Sequence, residues 1–248
     1  MRPGDGHTGP MLKKLIGAVI VVVVVGGAAL WWFVLRDDPP AELSVDGGTD
    51  TSQTTTGTTP ASLDGTWTVQ DGGDTTAGFR IDETFANGLA DHLAVGRSDD
   101  VTGSITIDGT QVTKGDFTVD LTGLTFSDTP GGLSVANRAN AMKSRGLETS
   151  TFPEATFELT QPIDFGKEPT SGETVTAKAT GDLTIHGVTK EVTFEVEAKV
   201  VGDTIRVATA DPVPVAFADY DIEAPTGGPV AEIADKGSFE FLVVLRQG

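Results

Sequence analysis

Between Gly181 and Val200 apolar and polar positions alternate on both sides of a His-Gly pair. Leu183 and Ile185 precede His186–Gly187, and Val188, Val192, Phe194, Val196, Ala198 and Val200 follow it; Asp182, Thr184, Thr193, Glu195, Glu197 and Lys199 take the opposite positions. A period of two is the pattern of a strand with one buried and one wet face, so the segment predicts a β-hairpin. A one-residue slip would exchange the faces, which makes the turn decisive, and Gly187 supplies the positive φ that a tight turn needs.

The same alternation recurs at Ile105 and Ile107, and at Phe117, Val119 and Leu121, with Asp108–Gly109 as the turn between those runs. Further runs cover 156–159, 175–185, 192–200 and 205–209, and Phe239, Phe241, Val243 and Leu245 close the chain. This predicts an all-β, antiparallel barrel of about eight strands, a size that either fills with side chains or holds one ligand. Two stretches break the pattern. Residues 134–146, with a Ser cap, alanines and a terminal glycine, predict a short helix with Val135, Ala139, Met142 and Gly146 inward. Residues 83–94 predict a second short helix or an ordered loop, with Gly88 weakening the helix.

Ahead of the strands the pattern changes kind. Residues 15–35 carry no charge, with Lys13 and Lys14 before them and Trp31 and Trp32 near their end. That length predicts a transmembrane helix, and the flanking lysines place residues 1–14 in the cytoplasm and everything beyond outside. A cleaved signal peptide with Gly26 and Ala28 near the cleavage point is the alternative, and it too exports the rest of the chain, as a secreted protein. Residues 36–62, rich in Thr, Gly and Pro, read as a disordered linker, leaving 63–248 as one barrel domain.

Charge and chemistry narrow the function by exclusion. Seventeen Lys and Arg against 36 Asp and Glu give a net charge of -19, which repels nucleic acid. With no cysteine, disulfides and thiolate chemistry are excluded. His7, His92 and His186 are scattered, and no metal-ligand spacing, nucleophile elbow or phosphate loop occurs, so no metal, cofactor or catalysis is expected. His186 reads as a turn residue.

The run Gly181-Asp-Leu-Thr-Ile-His-Gly-Val-Thr-Lys-Glu-Val-Thr-Phe194 resembles the central hairpin signature of the YceI-like, polyisoprenoid-binding family. Asn137-Arg138, Met142-Lys143-Ser144 and Phe152-Pro153-Glu154-Ala155-Thr156-Phe157 resemble a second signature, Gly65–Val69 and Gly78–Ile81 the opening strands, and Phe217–Ile222 a later element. The resemblance spans residues 63–247. It departs from the family in a longer 81–97 segment, in Asp219-Tyr220-Asp221-Ile222, and in a Pro- and Gly-rich insertion at 224–230.

The resemblance implies a lipocalin-like barrel binding a long isoprenoid chain, a polyprenyl lipid or a quinone, for storage, transport or protection beside the cell membrane. Its apolar wall is expected at Phe79, Phe117, Leu121, Met142, Phe157, Leu183, Ile185, Phe194, Val196, Phe217, Tyr220 and Phe241, with Arg138, Lys143 and Arg145 on the predicted helix as contacts for an anionic head group; a basic helix pairing with the acidic surface around it is at least an equal reading of these three. Residue by residue, ordinary core is an equal reading for the phenylalanines. The alternative for the whole is an envelope scaffolding module with a filled barrel. Oligomeric state stays open, a homodimer among the options.

Overall fold

In a computed structural model, β9 (Thr174–Ile185) and β10 (Val188–Val201) pair antiparallel from Val188 opposite Ile185 to Lys199 opposite Thr174. His186 and Gly187 join them with positive φ of 52° and 75°, the two-residue turn whose twist suits a hairpin. The structure describes residues 39–47, 60, 62–70, 72–85, 92–126, 134–227 and 230–248.

The remaining strand segments are β1 (Gly65–Val69), β2 (Thr76–Phe85), β3 (His92–Ser98), β4 (Val101–Asp108), β5 (Gln111–Asp120), β6 (Thr125–Phe126), β7 (Glu154–Leu159), β8 (Ile163–Asp164), β11 (Thr204–Thr209), β12 (Val213–Ala216) and β13 (Val230–Gln247). All belong to one antiparallel sheet. β1 and β2 lie end to end along one edge of β13, and β12 and β11 along its other edge. β4 and β3 flank β1 and β2, β5 pairs β4, β6 pairs β3, and β7 and β8 both pair β5. The thirteen segments are therefore eight passes of the chain, and β13 closes the ring by pairing with β1. The protein is an all-β, antiparallel eight-stranded barrel.

Among the described residues one short α-helix interrupts the barrel. α1 (Val135–Ala141) starts at Ser134, whose side chain accepts from Asn137 N–H, and runs into a wider turn over Met142–Gly146. Ala139, Met142 and Gly146 are buried and Val135 is half-buried. Past the end of β5, α1 packs against β6 and closes that end of the barrel with Leu121, Leu124, Phe126 and Leu147.

Three expectations are corrected. Glu83–Phe85 and His92–Ala94 are the ends of β2 and β3, paired to each other, rather than a helix; residues 86–91 lie outside the described residues. β13 begins at Val230, ahead of the closing run, because pairing with β2 carries it through Lys236–Gly237 despite two register shifts. Within the expected linker, residues 39–47 pack on the outer face of the barrel, with Val45 at 2% exposure against Ala208 and Leu242. The transmembrane helix at 15–35 and the tail at 1–14 lie outside the described residues. Among the described residues no helix is long and apolar enough to cross a membrane.

Candidate functional site: an apolar cavity inside the barrel

The interior is not packed solid. A cavity of about 250 Å³ runs along it, from Gly109, Phe165 and Pro169 beside the β4–β5 turn to Leu147, Ile222 and Pro225 beside α1. Its middle is aromatic. The Phe194 ring meets Phe157, Phe239 and Phe241 edge-on, with centroids 5.4, 5.3 and 6.2 Å away. Edge-to-face geometry is the favoured arrangement for such rings.

Glycines in the wall explain why large rings leave space. Phe79 faces Gly96 across β2 and β3, and a Cβ at Gly96 would lie 2.5 Å from that ring. Phe117 lies over Gly103 in the same manner, and Phe157 over Gly181. Each ring therefore rests on the backbone of the next strand. Glycine inside a strand marks such a close approach.

The wall is apolar almost throughout. Among the described residues Glu240 is the one charged residue along the lining, and its carboxylate turns to the other face of β13, where it meets Arg97 at 2.7 Å and Arg80 at 3.2 Å. Thr110 and Gln111 at one end are bonded to Asp164. An apolar cavity of this kind stays dry and takes up hydrocarbon, as one of about 150 Å³ takes up benzene. Left empty, it forgoes packing worth on the order of 5 kcal/mol.

Phe79, Phe117, Leu121, Met142, Phe157, Leu183, Ile185, Phe194, Val196, Phe217 and Phe241 all line the cavity. Tyr220 does not, which corrects its expected place. It ends the tight 3₁₀ turn Phe217–Tyr220, is 3% exposed, and holds its carbonyl oxygen 3.2 Å from His186 Nδ1. Burial, reinforced by Asp219, pushes its phenol above the ordinary value, and the hydroxyl has no hydrogen-bond partner among the described residues.

The expected head-group cations do not line the cavity either. Arg138 forms a buried ion pair with Glu83 at 3.0 Å and lies 4.5 Å over the Phe126 ring. Lys143 donates to the Thr122 carbonyl and Arg145 to that of Thr226. The helix turns these cations toward loop carbonyls and a carboxylate. Their partners, far off in the chain, were not legible in the helix.

Sequence reasoning also missed a clasp at the α1 end. His186 Nε2 lies 3.0 Å from Glu148 Oε2, Nδ1 faces the Tyr220 carbonyl, and the ring packs on Phe152 at 4.4 Å. His186 thereby ties together the hairpin turn, the turn after α1 and the 3₁₀ turn. Glu148, His186 and Asp221, one from each, are the described non-glycine residues with positive φ, at 46°, 52° and 52°. Strained residues gather where surrounding structure fixes a working site. Among the described residues no group of three His, Asp or Glu side chains is placed to hold a metal.

The model of the YceI-like domain family matches residues 52–245. The chain belongs to the YceI-like domain family. Its barrel is similar to a polyisoprenoid-binding domain from Saccharophagus degradans implicated in plant cell wall breakdown, at 18% identity and a TM-score of 0.57 over 74% of this chain and 99% of that one. It is also similar to Burkholderia cenocepacia BcnA, at 18% identity and a TM-score of 0.47 over 68% and 95% of the two chains. The Campylobacter jejuni YCEI protein matches at 17% identity and 0.48, over 62% and 84%. No curated protein matches the chain. At these identities the likeness concerns the fold, and this YceI-like barrel shares it.

Proposed function

We propose that this protein binds one long isoprenoid lipid, a polyprenyl chain or an isoprenoid quinone, inside its barrel and stores, carries or shields it. The observation that carries the reading is the end-to-end apolar cavity, together with membership of a family whose similar structures include a polyisoprenoid-binding domain. Each methylene moved from water into such a lumen contributes about 0.8 kcal/mol, so affinity grows with chain length without hydrogen-bond readout. The lining supplies contact area and no free acid, base or nucleophile, which favours binding over catalysis.

The same proposal places the barrel outside the cytoplasm, held to the cell membrane by residues 15–35. Its support is the charge-free span behind Lys13 and Lys14. Membrane fractionation and protease accessibility of the barrel in intact cells test this part. Mass spectrometry of organic extracts from the purified protein tests the ligand: an isoprenoid at one per chain is expected, and neither co-purified lipid nor uptake of added polyprenol would reject the reading.

A further inference from the structure

The strands that line the cavity carry a second structure on their other face. Arg80 lies between the cavity residues Phe79 and Ile81, and Glu240 between Phe239 and Phe241. Arg97 follows Gly96, the residue on which the Phe79 ring rests. Glu240 is buried and bonded to both arginines. What buries it is the segment Pro39–Gly47.

That segment is held by backbone groups and three side chains. Its Pro40 carbonyl accepts from Arg80 at 2.8 Å and its Ala41 carbonyl from Arg97 at 2.6 Å. Leu43 N–H donates to Glu240, the Gly47 carbonyl accepts from Arg206, and Asp46 pairs with Lys199 at 2.6 Å. Leu43 and Val45 pack with Ala208 and Leu242. In a chain of net charge -19, four cations thus converge on one stretch of wall.

The seat is loosely held: among the described residues no strand pairing joins 39–47 to the sheet, and Nε of Arg97 and of Arg206 is buried without a partner. Unpaired buried donors weaken a contact, so the segment is held by a limited set of bonds that can be released together.

We propose that this outer face is a peptide-binding site, that residues 39–47 are its intramolecular occupant, and that occupancy sets how freely the cavity wall opens. The coupling route is short. Releasing the segment frees Arg80, Arg97 and Glu240, and the backbone they sit on carries Phe79, Phe239 and Phe241. The site selects an extended peptide that offers consecutive carbonyls to two arginines and two small apolar side chains to Leu242. The lipid arm of the test rests on the lipid-carrier reading; the exchange arm does not.

The full chain with Val45→Asp places a charge in the apolar part of the seat and leaves every barrel residue in place. Three readouts follow: proteolysis within 39–47, amide hydrogen exchange of β2 and β13 with the turn end of the β9–β10 hairpin, Leu183–Lys190, as internal reference, and release of a fluorescent polyprenol. Proteolysis and exchange of β2 and β13 are expected to rise about tenfold with the hairpin turn unmoved, as for a local opening. A synthetic peptide of residues 39–47 added to the variant is expected to restore slow exchange, and polyprenol release to quicken in its absence. Continued protection of 39–47, its release with β2 and β13 unchanged, equal acceleration in the hairpin turn, or no rescue by the peptide overturns the proposal. A protein that takes up no polyprenol yet shows the exchange pattern and the rescue upholds this site while rejecting the lipid reading.

Discussion

The two sides of the barrel use alternation differently. On the β9–β10 side Phe194, Val196 and Ala198 are buried while Glu191, Thr193 and Glu195 stand in water, and hydroxyl pairs such as Thr180–Thr193 at 2.9 Å decorate the outer surface. On the β2–β13 side the inner residues again line the cavity, but the outer ones, Arg80 at 7% exposure and Glu240 at 1%, are covered. A strand's polar face need not be a wet face. Where a segment from elsewhere in the chain lies over it, the same pattern builds a buried ionic network, and a polar residue there carries an energetic weight its exposed counterpart lacks.

Paired substitutions make that contrast measurable. Glu240→Ala leaves the buried Arg80 and the half-buried Arg97 without their carboxylate and is expected to cost about 3–5 kcal/mol in chemical denaturation. Glu195→Ala, at an outer position of β10, is expected to stay within about 0.5 kcal/mol. Similar losses for the two would break the contrast.

A smaller effect, about 1–2 kcal/mol, is expected for His186→Ala, which removes the bridge to Glu148 and Tyr220. Faster amide exchange should then be confined to the hairpin turn and the two turns it clasps.

Gly96→Ala tests the inner wall with little change of polarity. The new methyl displaces the Phe79 ring into the lumen, since the two would otherwise approach to 2.5 Å. Reduced uptake of polyprenol with stability lowered by about 1 kcal/mol is expected; unchanged uptake would show that Phe79 does not bound the ligand's path.

The smallest effect lies in the exposed network at the β4–β5 end. Lys167 first, then Thr170, holds the Glu173 carboxyl down to about 2 from 4.5. The folded value is depressed, so its stabilisation is present above 4.5 and is lost as pH falls toward 2. An NMR titration is expected to show Glu173 moving back toward the ordinary carboxylate range in Lys167→Ala.

The hairpin and the inner face of α1 were legible because their signals are local: a period of two around His186–Gly187, and a Ser cap before Ala139 and Met142. The cavity wall was half legible. Period two says that Phe117, Phe157 and Phe194 point inward, but not whether opposite walls meet; Gly96, Gly103 and Gly181 within strands were the available sign that rings lie along the wall. Contacts across long stretches of chain were hidden. Leu43 meets Glu240 from 197 positions away, and Arg138 meets Glu83 from 55, so neither the docked segment nor the neutralised cation could be read from its own neighbourhood.

Native mass spectrometry of the full chain, extracted from its own cells in mild detergent, addresses the lipid-filled lumen most directly. One isoprenoid per chain is expected, lost on replacing Phe194 and Phe241 by bulky Trp. Protein of bare mass that also refuses added polyprenol and menaquinone would contradict it.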